Sequence, residues 1–170
     1  MKLIDALKTL EGYHAYTEPK RLKRIVEKSA RFLQEKGLDF DTIAVQGVSG
    51  LIVGSPLAMA LDKKIMVVRK QGDKTHCTDV MGFGKNQKIL MIDDCVETGA
   101  TVINMVSKIK FYCNNPTFVG LFLYTGIRPN GFQYRCESEL IDVITFPPSG
   151  VVGKLVEQIT KENGMVRAID

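Results

Sequence analysis

The chain has 170 residues, 45% of them apolar and 25% charged, with a formal net charge of +4. That length predicts a single domain with a sizeable core, and the composition excludes a disordered or fibrous chain. So mild a charge suits an anionic small substrate without demanding nucleic acid, and no apolar stretch reaches the roughly 20 residues that span a bilayer.

In chain order, Leu3, Leu7 and Leu10 predict a short helix over residues 2–11, with Asp5 and no long apolar run to suggest a secretory signal. Residues 12–17 break the pattern and contain Tyr13, His14 and Tyr16. A helix is predicted from Pro19, which fits a first helical position. Its stripe is Leu22, Ile25, Val26, Ala30 and Leu33, and Gly37 is its expected stop. Lys20, Arg21, Lys23, Arg24, Lys28 and Arg31 read as its solvated face. A strand is expected over 41–46, a turn over 47–50, and a helix over 51–61 that is apolar on almost every side and should be buried. Residues 64–69 read as a second strand. Residues 70–87, with Gly72, Gly82 and Gly84, show no core pattern. Ile89–Ile92 reads as a buried strand, and Val102, Ile103, Val106 and Ile109 mark a helix running to about residue 112. Strands follow over 117–124 and 140–146, then a closing helix over 153–163 ending at Gly164.

Strands alternating with helices predict an α/β fold, a mostly parallel central sheet with helices on both faces. Ligands of such sheets bind outside the carboxyl ends of the strands, where the loops 46–50, 69–86 and 93–101 should converge. Cys77, Cys95, Cys113 and Cys136 lack the short spacing of a zinc or redox site. Reduced thiols in a cytoplasm are the expectation.

The richest segment is 88–101. An apolar strand ends in two adjacent carboxylates, Asp93 and Asp94, and the small, hydroxyl-bearing turn Thr98-Gly99-Ala100-Thr101 opens a helix. Two carboxylates at a buried strand end repel each other unless solvent, a cation or a polyol donating hydrogen bonds offsets the repulsion. Helix amides and the positive helix end favour a phosphate, Gly99 permits close backbone approach, and Thr98 and Thr101 add hydroxyls. No lysine follows the glycine, so this is not the loop of a nucleoside-triphosphate hydrolase.

This segment resembles the phosphoribosyl pyrophosphate signature of the type I phosphoribosyltransferases. Ile89-Leu90-Met91-Ile92, Asp93-Asp94, Cys95-Val96, Glu97 and Thr98-Gly99-Ala100-Thr101 fill that pattern without a gap. The resemblance implies a phosphoribosyltransferase-type Rossmann-like core over about 40–125 of a single 1–170 domain. A small variable hood would come from the N-terminal and 125–150 segments. It further implies that Asp93 and Asp94 hold the ribose hydroxyls and that Thr98, Gly99, Ala100 and Thr101 hold the 5′-phosphate. In 6-oxopurine members an acid at the position of Glu97 sits near the purine as general base; a solvent-exposed first-turn acid is the other reading of Glu97. Val48, Ser49 and Gly50 match the family's pyrophosphate loop, and Arg69 and Lys70 follow the second strand as basic groups for a diphosphate. Ser49 departs from the arginine usual in adenine-type members. Residues 71–86 match the mobile catalytic loop in position, with Lys74 and His76 as its candidates. Phe132, Tyr134 and Phe146 are candidates for stacking on a base.

The function implied is a Mg²⁺-dependent transfer of phosphoribose to a nucleobase, preferably a purine, with the Mg²⁺ held mainly by the substrate diphosphate. Orotate is the runner-up acceptor. The partners implied are phosphoribosyl pyrophosphate, a nucleobase and a second copy in a homodimer, with no membrane or nucleic acid. Two readings from other classes stay open. One is a non-catalytic regulator that senses phosphoribosyl pyrophosphate on the same fold. The other is a receiver-type domain phosphorylated on an aspartate.

Overall fold

The computed structural model describes residues 17–70, 72, 78–96, 98–125, 133–136, 138–147 and 166–168. The helices expected over 2–11 and 153–163 lie outside the described residues.

The first described helix, α1, spans Pro19–Glu35. Glu18 caps it, its carboxylate accepting from the amides of Lys20 (3.2 Å) and Arg21 (3.0 Å), which satisfies two of the first-turn donors a helix leaves open. Strand β1 is Thr42–Gln46 and helix α2 is Gly47–Ala60. Strands β2 (Lys64–Val68), β3 (Val80–Met81) and β4 (Lys88–Asp93) follow, then helix α3, Ala100–Tyr112. Strands β5 (Thr117–Leu123), β6 (Gln133–Cys136), β7 (Glu139–Thr145) and β8 (Val166–Ala168) complete the described elements.

The eight strands form one sheet in the order β3-β2-β1-β4-β5-β7-β6-β8. From β2 to β7 every pairing is parallel. β3 is antiparallel to β2, β6 is antiparallel to β7, and β8 is parallel to β6. The predicted α/β class holds.

Side chains alternate between sheet faces along a strand, and the core divides accordingly. Ala44, Met66, Ile89, Met91 and Leu121 pack with Val102, Met105, Val106 and Ile109 of α3 on one face. Ile43, Val45, Leu90, Ile92 and Phe122 pack on the other with Val26 and Leu33 of α1 and Val53 and Leu57 of α2. The inner strands β1, β4 and β5 are apolar on both sides because each side is covered.

Several elements differ from the sequence reading. Residues 47–50 form no turn: β1 runs straight into α2, because Gly47 takes a left-handed φ of +74° that redirects the chain in one residue. Nor is α2 buried on every side. Val48 (74% exposed) and Met59 (83%) face outward, since one sheet face covers only part of a helix's circumference. The second strand ends at Val68, not residue 69. β3, β6 and β8 were not expected from the sequence. The base-stacking candidates Tyr134 and Phe146 are core residues. Phe146 packs edge-on against Phe32 and Phe122 and lies beneath the Lys28 ammonium; Phe132 lies outside the described residues.

Candidate functional site

The strand order reverses between β1 and β4: from β1 the chain moves outward through β2, then crosses back to place β4 on the other side. Open α/β sheets bind ligands in the crevice beyond the carboxyl ends of the strands at such a point. A cavity of about 210 Å³ lies there. Gln46 and Ser49 line it from the β1–α2 junction, Lys70 from beyond β2, Asp93 and Asp94 from the end of β4, and Thr98, Gly99 and Thr101 from the start of α3.

The acidic pair is fixed by its own backbone. The Asp94 amide donates to Asp93 Oδ1 at 2.9 Å, and the Cys95 amide to Asp94 Oδ1 at 2.9 Å. The neighbouring strand adds the Tyr124 amide on the Asp93 carbonyl at 3.3 Å, and the Thr125 hydroxyl donates to the Asp94 carbonyl. Asp93 is 6% exposed and Asp94 8%. Burial, followed by its contact with Asp94, raises the Asp93 carboxyl to about 8, against an opposing pull from Lys70. Two acids held this close in a desolvated pocket form a site that prefers hydroxyl donors or a hard cation to emptiness.

The turn that follows is built for an anion. Gly99, at φ +87°, caps α3 in the left-handed region, which lets the backbone approach a ligand without a Cβ in the way. The Thr98 hydroxyl accepts from the Ala100 amide at 3.3 Å. The first amides of α3 have no partner within the helix and point outward with its positive dipole end.

Not every expected residue reaches the cavity. Val48 is largely exposed and Gly50 is buried, and neither lines it. An added Cβ on Gly50 would sit 3.4 Å from the Ile92 carbonyl, so Gly50 serves the packing of α2 onto the sheet. The first-turn amides of α2 remain groups that a helix cannot satisfy internally. Arg69 does not line the cavity. Its guanidinium approaches Met81 Sδ at 3.8 Å on the β3 side, because consecutive residues of an extended chain point opposite ways and Lys70 takes the inward direction. Ala100 is exposed at the start of α3. Glu97, Lys74 and His76 lie outside the described residues. Gln46 is a cavity residue the sequence reading missed. Its signal was present: a polar side chain closing an apolar strand at the ligand end of a parallel sheet.

Among the described residues there is no cluster of three or more His, Cys, Asp or Glu able to hold a metal ion. The donors that do face the cavity, two carboxylates, suit a hard cation that brings most of its own oxygen ligands on a phosphate. No helix of the described residues is long and apolar enough to cross a membrane.

No protein-family model matches the chain. It is 25% identical over 101 residues to an orotate phosphoribosyltransferase of Sulfurimonas denitrificans, an overlap of 59% of this chain and 50% of that protein. It is 27% identical over 129 residues to an adenine phosphoribosyltransferase of Chlorobium luteolum, covering 61% of this chain and 73% of the relative. The chain spans about half the length of the orotate relatives it matches. The crystal structure of an adenine phosphoribosyltransferase from Thermoanaerobacter pseudethanolicus superposes with a TM-score of 0.56 at 19% identity, covering 76% of this chain and 81% of that one. The chain therefore shares the fold of an adenine phosphoribosyltransferase and is similar in sequence to adenine and orotate phosphoribosyltransferases.

Proposed function

We propose that this protein transfers a phosphoribosyl group from phosphoribosyl pyrophosphate to a nucleobase, releasing diphosphate and forming a nucleoside monophosphate. The observation that carries the reading is the meeting of Asp93, Asp94, Lys70 and the Thr98–Thr101 turn around one small cavity at the strand-order reversal. Asp93 and Asp94 accept from the ribose hydroxyls. The Thr98, Gly99, Ala100 and Thr101 segment receives the 5′-phosphate, and Lys70 with the first-turn amides of α2, including those of Val48, Ser49 and Gly50, faces the diphosphate.

A ring nitrogen attacks the anomeric carbon as the bond to diphosphate breaks, and the bonding pair leaves on the diphosphate. Positive charge builds on the ribose while negative charge builds on the leaving group, and Lys70 meets the second of these. When bound on the diphosphate, Mg²⁺ would supply further neutralisation of that charge. Glu97 takes the ring-nitrogen proton, and Lys74 and His76 act from the 71–86 segment, which excludes water from the activated sugar. In this reading residues 1–170 are one domain, and the N-terminal and 125–150 segments supply the hood that holds the base.

A purine is the acceptor this reading prefers, on the adenine-like spacing of the 43–70 segment and on Glu97. Orotate is the second reading, favoured by the similarity to orotate enzymes. The protein acts in the cytoplasm as a homodimer, and the outward Val48, Leu51 and Met59 of α2 give the apolar face such a dimer would cover. The test is diphosphate release from phosphoribosyl pyrophosphate and Mg²⁺ with adenine, hypoxanthine, guanine, xanthine, uracil and orotate in turn. Release with one of them supports the transferase. Tight binding of the sugar without release from any would favour the sensing regulator.

A further inference from the structure

The exit from β2 is held from outside the cavity. The Arg69 carbonyl oxygen accepts from three side chains: Gln46 Nε2 at 3.0 Å, Asn104 Nδ2 at 3.1 Å and Lys108 Nζ at 2.9 Å. A carbonyl has two lone pairs, so three donors over-determine where it sits. Asn104 and Lys108 are four residues apart on α3 and therefore share a face. The Lys108 ammonium also pairs with Asp79 Oδ2 at 3.0 Å, and the Arg69 amide donates to the Asp79 carbonyl at 2.9 Å. One ammonium thus touches Arg69, just past β2, and Asp79, just before β3. At 16% exposure it is poorly screened by solvent. The residue next to this clamped carbonyl is Lys70, the cation of the cavity.

We propose that Lys108 is a positioning residue for ligand binding. By holding the Arg69 carbonyl and Asp79 together against α3, it fixes the backbone from which Lys70 reaches the cavity. The first turn of α3 carries Thr101 into that cavity, and a later turn of the same helix carries the clamp. Turn and lysine are therefore set by one rigid element, which keeps their spacing matched to one ligand. This rests on the phosphorylated-sugar reading of the cavity.

Lys108→Met should weaken binding of Mg²⁺–phosphoribosyl pyrophosphate about tenfold, the loss expected when a charged hydrogen bond goes. Lys108→Arg should recover most of it, and Asp79→Asn, which leaves the carbonyl contact in place, should lose less. The discriminating measurement is a double-mutant cycle with Lys70→Met: the loss from Lys108→Met should nearly vanish once Lys70 is gone. Additive losses would overturn the proposal, because a merely structural ion pair weakens the site with or without Lys70. Hydrogen exchange at the Arg69 amide, measured without ligand, should quicken in Lys108→Met, and an unchanged rate would overturn the clamp itself. If the unmodified protein binds no phosphoribosyl pyrophosphate, the sugar reading fails instead, so the two failures are told apart.

Discussion

The Lys70 side chain lies across the backbone of Gly47: its Cε is 3.0 Å and its Nζ 3.4 Å from the point where a Cβ on Gly47 would sit. The residue that turns β1 into α2 is thus also the floor under the cavity's lysine. At φ +74° an alanine would be strained by about 1–2 kcal/mol, and its methyl group would push Lys70 aside. Gly47→Ala should therefore lower the urea midpoint and weaken binding of Mg²⁺–phosphoribosyl pyrophosphate about tenfold. A variant destabilised but binding with unchanged affinity would show that Lys70 does not depend on this contact.

Gly54 is a packing glycine. An added Cβ would lie 2.3 Å from Val45 Cγ1, so α2 rests directly on β1 at this point. On an exposed helix Gly→Ala gains up to about 1 kcal/mol. Here overpacking should reverse the sign, for a net loss of about 1–3 kcal/mol. Chemical denaturation measures it, and Val45→Ala in the same chain should recover part of the loss. An alanine variant as stable as the parent would mean that the helix rides higher on the sheet than described.

The acidic pair predicts an unusual pH dependence. The folded-state value of Asp93, about 8, lies above its ordinary value, so between the two the folded protein binds a proton that the unfolded chain does not. The stability this group contributes is full below its ordinary value and is lost as pH rises through about 8. The ligand-free protein should weaken from pH 5 to pH 8, and Asp93→Asn, neutral throughout, should flatten the slope and be the more stable form at pH 8. Urea midpoints across that range check it; a slope unchanged by the substitution would contradict it. Hydroxyl donors from a sugar favour the ionised pair, so binding near pH 7 should release a proton. Titration calorimetry in two buffers of different ionisation enthalpy detects that release.

Much of this fold was legible because its inner strands are continuous apolar runs, the mark of a sheet covered on both faces. Ile89–Ile92 and the 117–124 run needed no more than that, and α1 announced itself through Pro19 and its apolar stripe. What stayed hidden was set by distant partners. β3 is two residues long and exists only because Val67 and Val68 offer an edge; β6 reads as mixed polarity until it is paired with β7. Gly47–Gly50 has the composition of a turn, and only the left-handed φ at Gly47, fixed by the tertiary path, makes it helix. At the site, the acid pair and threonine turn were legible as a contiguous motif. That Lys70 rather than Arg69 faces the cavity, and that Gln46 joins it, depends on which way each side chain points at a strand end. The Lys108 clamp joins residues far apart in sequence and leaves no local pattern to find.

The central claim is that a phosphorylated pentose sits between the twin acids and the start of α3. Calorimetric titration of Mg²⁺–phosphoribosyl pyrophosphate into the parent protein and into the double variant Asp93→Asn, Asp94→Asn tests it directly. The variant should stay folded, since asparagine keeps the side-chain volume and an oxygen to accept from the Asp94 and Cys95 amides. The parent should bind at one site per chain, and the variant should lose about 100-fold or more in affinity. Equal affinity in both proteins, or no binding in the parent, would contradict it.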